Sequence, residues 1–147
     1  MKVTILDGYI DEPACLGVPP FISPQVRAAA GAAISAGAEV EYITIDKIRK
    51  NNAELNSDVT LFMSGNAVTG KYLRAMPASK KEVLEISCHI PGVSIIGGPA
   101  ALDSEMCSSF DYSSKNDPAV SLYEILKGKE VSQRLRNLEE WNEWQIK

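Results

Sequence analysis

The chain alternates short apolar runs with small-residue or amphipathic stretches, and that alternation predicts its elements. Val3-Thr4-Ile5-Leu6, ending in Asp7-Gly8, is short and β-rich, as a buried strand should be. Similar runs follow at Val40 to Ile45, Asp58 to Met63 and Val93 to Ile96, with a weaker fifth at Phe110 to Ser113. Helix signals lie between them. Ser23-Pro24 supplies an N-cap and a first-position proline for a helix to about Ala36, where Gly37 stops it. This helix is rich in small residues (Ala28 to Ala33), which lets it lie close to a sheet or a ligand. Asp46 is placed to cap a short turn through Lys50, and residues 67–77 read as helix or turn. Ser79-x-x-Glu82 is a capping box for a helix to about His89, broken by Pro91-Gly92. A short helix is expected over Leu102 to Ser108. Asp117-Pro118 opens a last core helix with a stripe of Ala119, Leu122, Tyr123 and Leu126, and Gly128 stops it.

Strands alternating with helices specify the α/β class. The expected architecture is a three-layer α/β/α sandwich around a doubly wound, mostly parallel five-stranded sheet, order 2-1-3-4-5, flavodoxin-like. In such a sheet a ligand binds beyond the carboxyl ends of the strands, where the winding direction switches. The segments there are Asp7 to Ile22, Ser64 to Asn66 and Gly97 to Pro99. The first holds prolines 13, 19 and 20 and is long for a strand-to-helix link, which marks it as functional. Residues 1–128 read as one Rossmann-like domain and 129–147 as a helical extension or a linker to a following domain. In that extension Val131, Leu135, Leu138 and Trp141 are spaced like one helix face, and Trp144 follows. Two readings stay open: a helix packed back on its own domain, or a docking helix for a partner.

Composition narrows the class. At 147 residues, 45% apolar and 23% charged, this is one ordinary globular domain rather than a disordered chain. The net charge of −4 gives no basic footprint for nucleic acid. No apolar run reaches the length of a membrane span, and the start is too short in apolar residues for a secretory signal. Three scattered cysteines (Cys15, Cys88, Cys107) have neither zinc-finger nor iron–sulfur spacing. They read as small apolar fillers with free thiols, as in a reducing cytoplasm.

Several motifs are tested and set aside. Gly65-Asn66-Ala67-Val68-Thr69-Gly70-Lys71 matches the G-x-x-x-x-G-K phosphate loop, but Tyr72 replaces the magnesium-binding hydroxyl and Pro77 would break the following helix. A phosphoacceptor site needs a carboxylate after the third strand, where the chain has Met63-Ser64-Gly65. The acidic Asp7 to Glu12 segment would repel a flavin phosphate. Asp7, Asp11 and Glu12 form either an acid cluster or a solvated loop. His89, the one histidine, reads as a surface or capping residue at a helix end. Gly97-Gly98-Pro99 either admits a ligand to bare backbone or makes a tight turn.

Taken in order, some of these residues resemble a family. Pro19-Pro20, the small-residue helix, Ala36-Gly37-Ala38-Glu39-Val40 and Ile45-Asp46 resemble the opening of the cobalamin-binding-type domains that precede radical S-adenosylmethionine enzymes. Ile95-Ile96-Gly97-Gly98-Pro99-Ala100 is similar to that family's glycine motif after the fourth strand. Phe110-Asp111-Tyr112 and Leu122 to Gly128 are similar to its last strand and helix. The opening from Leu6 to Pro20 resembles an uncharacterised branch from methanogenic archaea.

The resemblance implies an accessory ligand-binding domain without catalytic residues of its own. Its ligand would be cobalamin, held by Asp7, Gly8, Tyr9, Pro19, Pro20, Ser64, Gly65, Gly97, Gly98 and Pro99. The iron–sulfur cluster and S-adenosylmethionine would belong to a following radical enzyme domain, the implied partner; a homo-oligomer is the other association to test. Tyr9 stands where cobalamin-binding members carry the cobalt-ligating histidine, and Glu12 where they carry glycine, so histidine ligation from below is not expected. Ser64-Gly65-Asn66 keeps the serine of the family's S-x-L, and Lys115-Asn116-Asp117 replaces its last glycine-containing turn. The alternative reading is a protein-interaction domain that docks through its Trp-containing C-terminal helix.

Overall fold

A computed structural model describes residues 1–9, 22–51, 53–65 and 76–145. Five parallel strands, β1 (Lys2–Asp7), β2 (Glu39–Thr44), β3 (Val59–Met63), β4 (Val93–Gly97) and β5 (Tyr112–Ser113), lie in the order β2-β1-β3-β4-β5. The expected α/β class and 2-1-3-4-5 order are what the structure has. Register aligns Asp7 with Met63, and Met63 with Gly97, so the carboxyl ends of the three central strands finish level.

Both sheet faces are covered, as a parallel sheet requires. Alternate residues Val3, Ile5, Leu61, Met63 and Ile95 face α1 (Pro24–Ser35) and α5 (Pro118–Leu126). Leu6, Phe62 and Ile96 face the other way, onto α2 (Ile45–Arg49), α3 (Lys80–Ser87) and the turns near α4 (Ser104–Ser108). There Phe62 and Phe110 meet edge-on, with ring centroids 6.3 Å apart.

Most expected caps form: Ser23, Ser79 with Glu82, and Asp117 each accept a first-turn backbone N–H. Three expectations change. Asp46 does not cap α2; β2 runs to Thr44, and Asp46 lies in the first turn, where its carboxylate takes the Arg49 guanidinium at 3.0 Å. The expected Leu102–Ser108 helix is split into a 3-10 turn (Pro99–Leu102) and α4. Asp103 causes the split by accepting the Glu105 and Met106 N–H groups as N-cap. Cys88 is exposed rather than a filler, its thiol donating to Leu84 O, whereas Cys107 is half-buried against the second core.

The C-terminal extension departs furthest. Residues 129–137 are irregular and only α6 (Leu138–Glu143) is helical, because Asn137 and Glu140 form a capping box that starts the helix late. The expected apolar face points outward: Leu138 is 82% exposed and Leu135 69%, while Trp141 lies beneath the Arg136 guanidinium at 4.2 Å. Trp144 instead turns in, 1% exposed, against the Tyr123 ring. The extension is therefore a strap packed back on its own domain.

Candidate functional site

The expected crevice lies at the carboxyl ends of β1, β3 and β4, and the structure brings Asp7, Gly8, Tyr9, Ser64, Gly65, Gly97, Gly98 and Pro99 together there. Pro19 and Pro20 lie outside the described residues, as do Cys15, Asp11, Glu12 and the 66–71 phosphate-loop look-alike.

Asp7 is 1% exposed. Its carboxylate accepts the Tyr9 N–H and the Tyr42 hydroxyl, each at 3.0 Å. Burial pushes its pKa above the usual aspartate range, and the two hydrogen bonds pull in the opposite direction. Tyr9 is itself buried.

Beyond the last ladder pairs the strand ends are tied to one another. Gly8 N–H donates to Met63 O at 2.7 Å and Gly8 O accepts from Ala78 N–H. Ser64 N–H donates to Gly97 O and Ser64 O accepts from Ala100 N–H. This platform explains its glycines. A Cβ on Gly8 would sit 2.9 Å from Met63 O, and one on Gly98 (φ 77) would sit 2.6 Å from Ser64 O. A Cβ on Gly97 would meet Met63 Sδ at 2.8 Å. At Gly97 and Gly98 the places a Cβ would take are occupied by Met63 and Ser64, which accounts for both glycines from within the chain.

Two features of the platform have no local signature in the sequence. On one side, Arg49 bridges α2 to the start of α3, donating to Glu82, Asp46, Met76 O and Pro77 O. The guanidinium beside Glu82 lowers that carboxyl to about 2. On the other side, the strap grips the turn between β5 and α5. Gln133 donates to Ser113 O and accepts from Lys115 N–H, and Asn116 donates to Gln133 O. Arg136 donates to Asp117 at 2.7 Å, both side chains only 8% exposed.

The described residues do not fit histidine-ligated cobalamin: Tyr9 stands at the position of the ligating histidine, and the Asp7 carboxylate is engaged by the Tyr9 N–H and the Tyr42 hydroxyl. Among the described residues no three His, Cys, Asp or Glu side chains gather as metal ligands. An apolar groove of about 250 Å³, lined by Ile48, Ala53, Leu55, Ile86, Glu85 and His89, lies at the other end of α3, away from the platform. His89 is exposed there and its Nδ1 lies 2.8 Å from Glu85 O, so it is the surface residue expected.

The fold defines a flavodoxin-like α/β domain whose central strand ends are tied to one another at the switch point. No family model and no solved structure matches the sequence. The chain is similar to an uncharacterized protein of Methanocaldococcus jannaschii, 36% identical over 166 residues, covering 99% of this chain and 31% of that protein. It is also similar to an uncharacterized protein of Archaeoglobus fulgidus, 38% identical over 107 residues, covering 70% of this chain and 20% of that protein. The chain thus spans less than a third of the length of either relative. Among the described residues no helix is long and apolar enough to cross a membrane.

Proposed function

We propose that this chain is an accessory domain of a longer iron–sulfur protein of the radical S-adenosylmethionine class. It is related to cobalamin-binding domains but lacks their cobalt-ligating histidine, with Tyr9 in its place. The observation that carries this reading is the parallel β2-β1-β3-β4-β5 sheet with Asp7, Ser64 and Gly97-Gly98-Pro99, the positions of the family's motifs, gathered at its carboxyl edge. Backbone bonds at Gly8, Ser64 and Ala100 tie the strand ends to one another, which supports a fixed surface there. Such a surface supports a role in covering or shaping the active site of a catalytic neighbour, and the greater length of the relatives supports the neighbour. The cluster and its chemistry belong to that neighbour; this chain contributes shape. The test is the Methanocaldococcus jannaschii relative, purified without oxygen after reconstitution with iron and sulfide. The reading expects stoichiometric iron and sulfide with cluster absorbance, and a colourless protein without iron contradicts it.

One observation favours a second reading, a protein-interaction domain: Leu135, Leu138 and Trp141 stand exposed on the strap. Size exclusion of the full chain separates the two. A dimer that Leu138→Asp dissolves would favour interaction through the strap, and a monomer in both forms favours the accessory reading.

A further inference from the structure

The strap does more than cover apolar surface, because its polar contacts fall on one turn. Residues 113–117 join β5 to α5 at the same end of the sheet as the platform. Gln133 holds Ser113 O and Lys115 N–H with its two amide atoms, in the manner of a sixth strand's backbone. Gln133 lies at φ 53, a left-handed backbone that its amide network over-determines. Arg136 takes one carboxylate oxygen of Asp117 with both its N–H and its Nε, while the other oxygen caps α5 through Ala119 N–H. Asp117 is thus shared between the strap and the start of α5.

The next residue carries the contact onward. Pro118 is buried, and its ring lies where a Cβ on Gly97 would approach to 3.2 Å. Gly97 O in turn accepts Ser64 N–H, and Ser64 O accepts Ala100 N–H. In parallel, Ser114 N–H donates to Ile96 O, and the Ser114 and Ser121 hydroxyls meet at 2.8 Å. A line of neighbours runs from Arg136 through Asp117, Pro118 and Gly97 to Ser64 in the platform.

We propose that Arg136 is a positioning residue that latches the strap to the platform: docking of residues 131–137 holds the Gly97-to-Ala100 corner and Ser64 in place, and releasing the strap loosens them. The inference stands apart from the reading of the domain's role, since it concerns only how one part of this chain holds another.

Amide hydrogen exchange on the full chain tests it. Arg136→Ala is expected to speed exchange about tenfold or more at Ser114, Ser64 and Ala100, as well as in the strap, and to leave the β1 amides paired with β2 at their native rates. Arg136→Lys, which keeps a cation at Asp117, is expected to restore most of the protection at Ser64 and Ala100. Where Arg136→Ala lowers protection everywhere, through the buried Asp117 it leaves uncompensated, Gln133→Ala carries the same comparison with no charge stranded. Faster exchange confined to residues 129–145, with Ser64 and Ala100 at native rates in the folded variant, overturns the proposal. A hydroxocobalamin titration reports on the platform's ligand alone, so the two ideas fail separately.

Discussion

Two residues decide how tightly this molecule closes. Gly31 sits in a run of alanines on α1, and a Cβ there would lie 2.1 Å from Trp144 O. Gly31→Ala therefore collides with backbone rather than with a movable side-chain tip. The expected cost is about 1–3 kcal/mol of unfolding free energy, with red-shifted tryptophan emission as Trp144 leaves its site. Unchanged emission and stability would show that the strap does not depend on this contact. The run of small residues was legible in the sequence as a surface for close approach. Its occupant was not, because no periodicity links a helix near the start to a tryptophan near the end. Asp7 makes the second case. A raised pKa in the folded state means that Asp7 contributes stability fully below its ordinary pKa, and that this is lost as pH rises through the folded value. Asp7→Asn is expected to remove that slope above about pH 4 and to cost less than about 1 kcal/mol near neutrality. Chemical denaturation across pH checks both points, and a steep loss at neutral pH would mean that the carboxylate is needed charged.

Among the elements, those with local signals were legible and those assembled from afar were not. Ser23, Ser79-x-x-Glu82 and Asp117 each announce a helix start because a cap acts within three residues. Asn137-x-x-Glu140 is the same signal, and the apolar spacing of Val131, Leu135, Leu138 and Trp141 hid it by suggesting a longer helix. Gly97-Gly98 was legible as a place where only glycine fits. The structure adds a reason from within the chain, since a Cβ at Gly97 would meet Met63 Sδ and one at Gly98 would meet Ser64 O. Arg49 had no sequence signature at all, yet it ties α2 to the start of α3. Its partner Glu82 is held at about 2, so this pair contributes stability above the usual glutamate range, lost as pH falls from about 4.5 toward 2. Arg49→Ala is expected to cost on the order of 1 kcal/mol near neutrality and to flatten that acid limb. An acid limb equally steep in the variant would place its origin elsewhere.

For the molecule as a whole, the sheet order and the location of the switch point followed from the alternation of strands and helices, because a parallel sheet has few ways to wind. The state of that switch point did not follow, since it depends on backbone hydrogen bonds between loops that no motif encodes. The family resemblance implies a cobalamin there, and the structure ties Gly8 to Met63 and Ser64 to Ala100 at the same place. The account's central claim is that Asp7 and the central strand ends are committed to partners within this chain, with Tyr9 where a cobalt-ligating histidine would stand. Titration of the full chain with hydroxocobalamin, followed by absorbance and by calorimetry, tests it most directly. The account predicts an unshifted cofactor spectrum and no binding heat at saturating cofactor. Tight stoichiometric binding with the spectrum of a displaced nucleotide tail would contradict it.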